Sequence, residues 1–163
     1  MNPKRRLSHV QGYLELGMVA EAAAELARLP APESTQNDAV ALRLAILQEQ
    51  QKWPQLRDAA RDFVQRVPEE AAAWVTWAYA TRRADSLLAA EKILLEAEEL
   101  HPVEPTIQFN LGCYACQRGD LAAARQRVDR AIALDPKFTT AAATDPDLAP
   151  LRAAGAADCQ PSL

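Results

Sequence analysis

The sequence predicts an all-α protein, a stack of antiparallel helix hairpins, and three observations carry that prediction. Positions of one kind recur at a spacing of 34 residues: a closing proline at Pro68, Pro102 and Pro136, a small-residue site at Ala22, Leu56, Ala90 and Ala124, and a turn at Gly17, Gln51, Asp85 and Gly119. Within the clearest copy, Pro105 to Phe138, two apolar-periodic segments around Leu111 and Val128 flank Gly119-Asp120, where glycine supplies a turn and aspartate caps the helix that follows. Composition is the third. Apolar residues make up 49% but aromatics only 6%, and alanine, the strongest helix former, is the commonest residue, so no strand is expected.

Taken in order, the first hairpin pairs residues 4 to 16 with 19 to 29, turning at Gly17, and Pro30 ends it. Ala31 to Gln36 is a linker of breakers and caps. The second hairpin pairs 37 to 50 with 54 to 67; Pro54 is harmless at a first helical position, because that amide has no partner to lose. The third pairs 71 to 83 with 86 to 99. Pro105 opens the fourth, which stops at Leu134-Asp135-Pro136 because proline lacks a donor and disfavours a helical residue before it. Beyond lie a short helix at 138 to 143, a cap at Asp145 before Pro146, and a further turn of helix, with Phe138, Leu148 and Leu151 placed to cover the last apolar face. Disorder is expected from Gly155 onward.

A helix-turn-helix unit repeated every 34 residues resembles the tetratricopeptide repeat (TPR) family. The fourth unit carries Leu111-Gly112, Gly119, Ala124, Ala131 and Pro136, and the third Trp74, Trp77, Ala78, Ala90, Ala97 and Pro102. The second departs from the pattern, with Arg43 where a small residue is usual, Leu56 at the small site and Phe63 for an alanine. The resemblance implies a right-handed superhelical α-solenoid over residues 1 to 144, in repeats 3–36, 37–70, 71–104 and 105–138, with residues 145–163 forming a cap and tail.

It also implies that the first arms line a concave surface. Mapped by phase, that surface holds Lys4, Leu7, Ser8, Gln11 and Leu14; Asp38, Ala41, Ala45, Gln48 and Glu49; Val75, Thr76, Tyr79, Arg82 and Arg83; and Phe109, Asn110, Cys113, Cys116 and Gln117. Leu7, Ala41, Val75 and Phe109 form an apolar stripe, so the expected function is a non-catalytic adaptor or scaffold holding a protein or peptide there, an acidic group meeting Arg82 and Arg83. Asn110 occupies a phase that some members use to clamp a carboxyl terminus. Leu7, Gln11 and Thr76 stand where further clamp residues are needed, which disfavours that type of receptor.

Cys113 and Cys116 offer the alternative of a thiol-dependent redox or metal-binding protein, but they sit well inside a helix, where neither the dipole nor free amides lower a thiol pKa. His9, His101 and Cys159 do not complete a zinc-ligand spacing, and His101 sits at a helix end where a cation meets the carbonyl dipole. No glycine-rich phosphate loop, HExxH or glycine-flanked serine is present; no cofactor, metal or catalytic residue is expected. A net charge of −4 opposes nucleic-acid binding, and Lys4-Arg5-Arg6 reads as a solvated terminal run. No apolar run of about 18 residues spans a membrane, and His9, Gln11 and Glu15 interrupt any signal-like core; three cysteines suit a reducing compartment, so the expected location is cytoplasmic. Self-association through the groove or the end of the stack is a third reading.

Overall fold

A computed structural model of the chain describes residues 2–158, and within them every regular element is helical. The chain divides into two compact units, Met1–Ser86 and Leu87–Leu163. The first holds α1 (Pro3–Glu15), α2 (Val19–Leu26), a 3-10 turn at Glu33–Thr35, α3 (Asn37–Glu49), α4 (Trp53–Arg66) and α5 (Ala71–Ala84). The second holds α6 (Leu87–Leu100), α7 (Pro105–Gln117), α8 (Leu121–Leu134), α9 (Phe138–Thr144), a 3-10 turn at Pro146–Leu148 and α10 (Ala149–Asp158). The two arms of the third expected hairpin, α5 and α6, are thus assigned to different units.

One turn is built three times. After α1, α3 and α7 the chain enters the left-handed region, at Gly17 (φ 71°), Gln51 (φ 54°) and Gly119 (φ 84°). The next amide reaches back to a carbonyl five residues earlier: Met18 to Tyr13 (2.8 Å), Lys52 to Leu47 (3.0 Å) and Asp120 to Ala115 (3.0 Å). These bonds satisfy carbonyls that a helix end leaves open, and they fix how each second arm departs. Asp85 shares the phase but lies at φ −125°, and its carboxylate takes two bonds from Arg57 Nη1, at 2.8 and 3.0 Å. Arg57 Nε also donates to Asp58 (3.0 Å), and that bond above all holds the Asp58 carboxyl below the usual carboxylate range.

The 34-residue phase also places the core. Ala22, Leu56, Ala90 and Ala124 are all fully buried. In the fourth hairpin, a Cβ at Gly112 would stand 2.9 Å from Val128 Cγ2 and 3.3 Å from the Ala124 carbonyl, so glycine is what lets α7 and α8 close together. The same phases of the second hairpin carry Leu44, Leu56 and Phe63, all buried, in place of Gly112, Ala124 and Ala131. Larger side chains hold the arms further apart, and α3 meets α4 less closely than α7 meets α8. Arg43, which stands where a small residue is usual in the first arm, is exposed, and Leu44, one residue on, is buried in the phase of Gly112.

Two further expectations change. Arg6 of the basic run is drawn inward, its Nη1 donating to Glu25 Oε1 at 2.9 Å, while Arg28 holds the other carboxylate oxygen at 3.0 Å. The burial of Glu25 against α1 accounts for this, since a buried carboxylate needs a partner. The tail is also ordered further than expected: α10 continues through Gly155 to Asp158, where alanine-rich sequence favours helix and Arg152 Nη1 donates to the carbonyls of Ala142 (3.0 Å) and Asp145 (2.8 Å). Cys159 and the rest of the expected tail lie outside the described residues. Among the described residues no helix is long and apolar enough to cross a membrane.

Candidate protein-interaction surface

In the first unit, the first arms α1, α3 and α5 border two adjoining hollows. Between α1 and α3 lies one of about 590 Å³, where Leu7, Gln11 and Lys4 face Asp38 and Ala41. Between α3 and α5 lies one of about 290 Å³, where Asp38, Ala41 and Ala45 face Ala72, Thr76 and Glu70. Asp38 and Ala41 belong to both, so the hollows join along α3. The cause is sequence: alanine on the open side of α3 leaves room, while Leu44 and Phe63 form an apolar floor.

The remaining expected site residues of this unit gather on α5. Val75 is half-buried, and Tyr79 is 38% exposed with its ring edge-on to Trp53 at 5.6 Å. Arg83 lies over the other ring of that pair, 4.9 Å from the Trp53 centroid. A guanidinium stacked on indole is held in place by the ring's negative face, which makes this a fixed cation. Arg82 is half-buried.

In the second unit the corresponding phases are not open. Phe109 is 6% exposed and Cys113 and Cys116 are 2% exposed, because the C-terminal segment folds over α7. The Phe138 ring lies 5.0 Å from Phe109, Gln117 Nε2 donates to the Asp147 carbonyl at 2.9 Å, and Leu148 and Leu151 are buried. Asn110, half-buried, donates from its amide nitrogen to the Thr106 carbonyl of its own helix at 2.9 Å. Phe109 and Cys113 are therefore not open surface residues, whereas Asn110 is half-buried; the 34-residue phase gives the side of α7 on which they lie but not what covers it.

Cys113 and Cys116 are both buried, as thiols rather than as a disulfide. Cys113 Sγ and one carboxylate oxygen each of Asp145 and Asp147 lie within 4.8 Å of one another, but Asp145 Oδ1 accepts the Asp147 amide at 2.9 Å and so caps the 3-10 turn. A second polar group lies across α6, α7 and α8, where the fully buried Gln108 donates to Glu98 at 2.7 Å and accepts from Arg127 at 2.8 Å, and Arg127 also pairs with Glu98. Burial works against ionisation of Glu98, but the hydrogen bonds from Arg127 and Gln108 outweigh it, and its carboxyl is held below the ordinary range. All three side chains satisfy one another, as a buried network requires.

No protein-family model matches the sequence, and no curated protein matches it significantly. Among solved structures, the chain is similar to TTC0263, a thermophilic TPR protein of Thermus thermophilus, with a TM-score of 0.73 and 16% identity over 94% of this chain and 83% of that one. The fold is that of the tetratricopeptide repeat. It is similar also to MamA from Desulfovibrio magneticus RS-1, with a TM-score of 0.67 and 16% identity over 83% of this chain and 77% of that one. A MamA from MSR-1 matches with a TM-score of 0.59 and 12% identity over 96% and 95%. At these identities the likeness concerns the tetratricopeptide backbone, and the site residues stand on the geometry above.

Sequence reasoning found the first-arm phases of the tetratricopeptide hairpins but did not single out Glu70. That residue precedes α5 in a connecting loop, where helical phase assigns no side.

Proposed function

We propose that this protein is a non-catalytic interaction module that holds an extended or helical protein segment against α1, α3 and α5. The reading rests on one observation, the joined apolar-floored hollows of the first unit, whose walls are first-arm side chains. Pockets with apolar linings and a few convergent polar groups are the usual form of a binding site. Tyr79 and the stacked Arg83 supply an aromatic and a held cation on the same helix, α5, residue types enriched where partners dock. The buried thiols support a packing role for Cys113 and Cys116, since a reactive thiol needs solvent access.

Filling the trough tests this. Ala45 is exposed on α3, so Ala45→Trp inserts bulk into the hollow without entering the core. Co-purification from the native cell, with Ala45→Trp and Tyr79→Ala beside the unaltered protein, is expected to lose a specific partner while helicity and melting stay unchanged. Retention of every partner by both variants would count against the reading.

A further inference from the structure

The charges that line the trough say what kind of segment it takes, given that it takes one as proposed above. The hollow between α3 and α5 carries two carboxylates, Asp38 and Glu70, and no lysine or arginine. The adjoining hollow adds Glu15 and a single cation, Lys4. Glu15 is engaged by Gln11 Nε2 at 3.1 Å, whereas neither Asp38 nor Glu70 takes part in an ion pair or side-chain hydrogen bond among the described residues. Arg66 reaches the same end of α3 but donates to the Thr35 carbonyl (3.3 Å) and Asn37 Oδ1 (3.2 Å), and is not part of the wall. Asp38 stands in the first turn of α3 and Glu70 just before α5, so the two carboxylates come from the ends of the helices that border the hollow. Both carboxylates are exposed, and beside them Ala41, Ala45, Ala72 and the Phe63 ring give the hollow its apolar walls.

We propose that the segment held in this trough is basic, with lysine or arginine beside small apolar residues, and that Asp38 and Glu70 select it. This reverses the sign that Arg82 and Arg83 suggested from sequence alone. Arg83 is committed to the Trp53 ring, and the hollows' own walls are acidic.

The test uses two labelled peptides of equal length, one repeating Lys-Leu-Ala and one repeating Glu-Leu-Ala, with binding to the full chain read by fluorescence anisotropy. The basic peptide is expected to bind, more weakly as salt rises, and the acidic one not to bind. The double variant Asp38→Asn, Glu70→Gln is expected to weaken the basic peptide by about tenfold and to flatten its salt dependence. Asp62→Asn, an exposed carboxylate on α4 that pairs with Arg61, is the control and leaves binding unchanged. Ala45→Trp separates the two levels of the argument. If it abolishes binding while the double variant does not, the trough stands and its charge preference is overturned. If neither variant matters, the peptide binds elsewhere and both readings fall. Binding of the acidic peptide in the trough, or of neither peptide, overturns the inference.

Discussion

At Gln51 the backbone takes a conformation that favours glycine, and the residues one repeat before and two repeats after, Gly17 and Gly119, are glycine. The left-handed region brings Cβ against the carbonyl oxygen, at a cost of roughly 1–2 kcal/mol for a residue with a side chain. Gln51 is exposed, so nothing in its side chain offsets that. Gln51→Gly is expected to raise stability by about 0.5–1 kcal/mol once the greater freedom of glycine in the unfolded chain is discounted, read as a higher urea midpoint. A fall would mean that the turn after α3 is not held in this conformation in solution. The same phase shows how far residue-level reading went. It located the turn at Gln51 from the glycines alone, but not the exception at Asp85, whose role depends on Arg57, 28 residues away, donating to its carboxylate.

The three helices α6, α7 and α8 are joined by more than apolar contact, because Glu98, Gln108 and Arg127 each come from a different one. Since the Glu98 carboxyl is held below its ordinary range when folded, the folded state favours its ionised form. The sign follows: this contribution is fully present above the unfolded pKa of about 4.3 and is lost as pH falls through the lower folded value. Glu98→Gln is therefore expected to lower stability at pH 7 and to flatten its loss as pH falls below about 5, as read by thermal melts across the acid range. An unchanged acid slope would place the acid sensitivity elsewhere. Nothing in the sequence marks this network, since Glu98 stands in one helix with Glu96 and Glu99, and only its bonds to Gln108 and Arg127 distinguish it. The second hairpin was read further, since Leu56 and Phe63 stood out as oversized. Their consequence, an opened α3 side, needed the partner helix.

Over the molecule as a whole, helical class and repeat unit were legible because turn, small site and proline obey one spacing, which local chemistry can enforce. Accessibility was legible only in part: Phe138, Leu148 and Leu151 are placed by the sequence to cover the last apolar face, but which first-arm residues lie beneath them depends on how the segment folds back. Leu7 and Gln11 border open hollows, while Phe109 and Cys113, identical to them in phase, lie under the chain's own residues 138 to 158. That covering segment is short, and few of its side chains anchor it; Leu148, 1% exposed, is the deepest. Leu148→Ala is expected to weaken its hold by about 2–5 kcal/mol.

A sulfur atom beneath it turns this into something that can be timed. Because Cys113 is buried beside Asp145 and Asp147 of that segment, its alkylation rate in the native protein, resolved by peptide mapping, is a clock for that opening. Leu148→Ala should quicken the clock at least tenfold, each 1.4 kcal/mol being worth about one decade. If mapping showed the same slow alkylation in both proteins, the lid would open by some motion that leaves Leu148 seated.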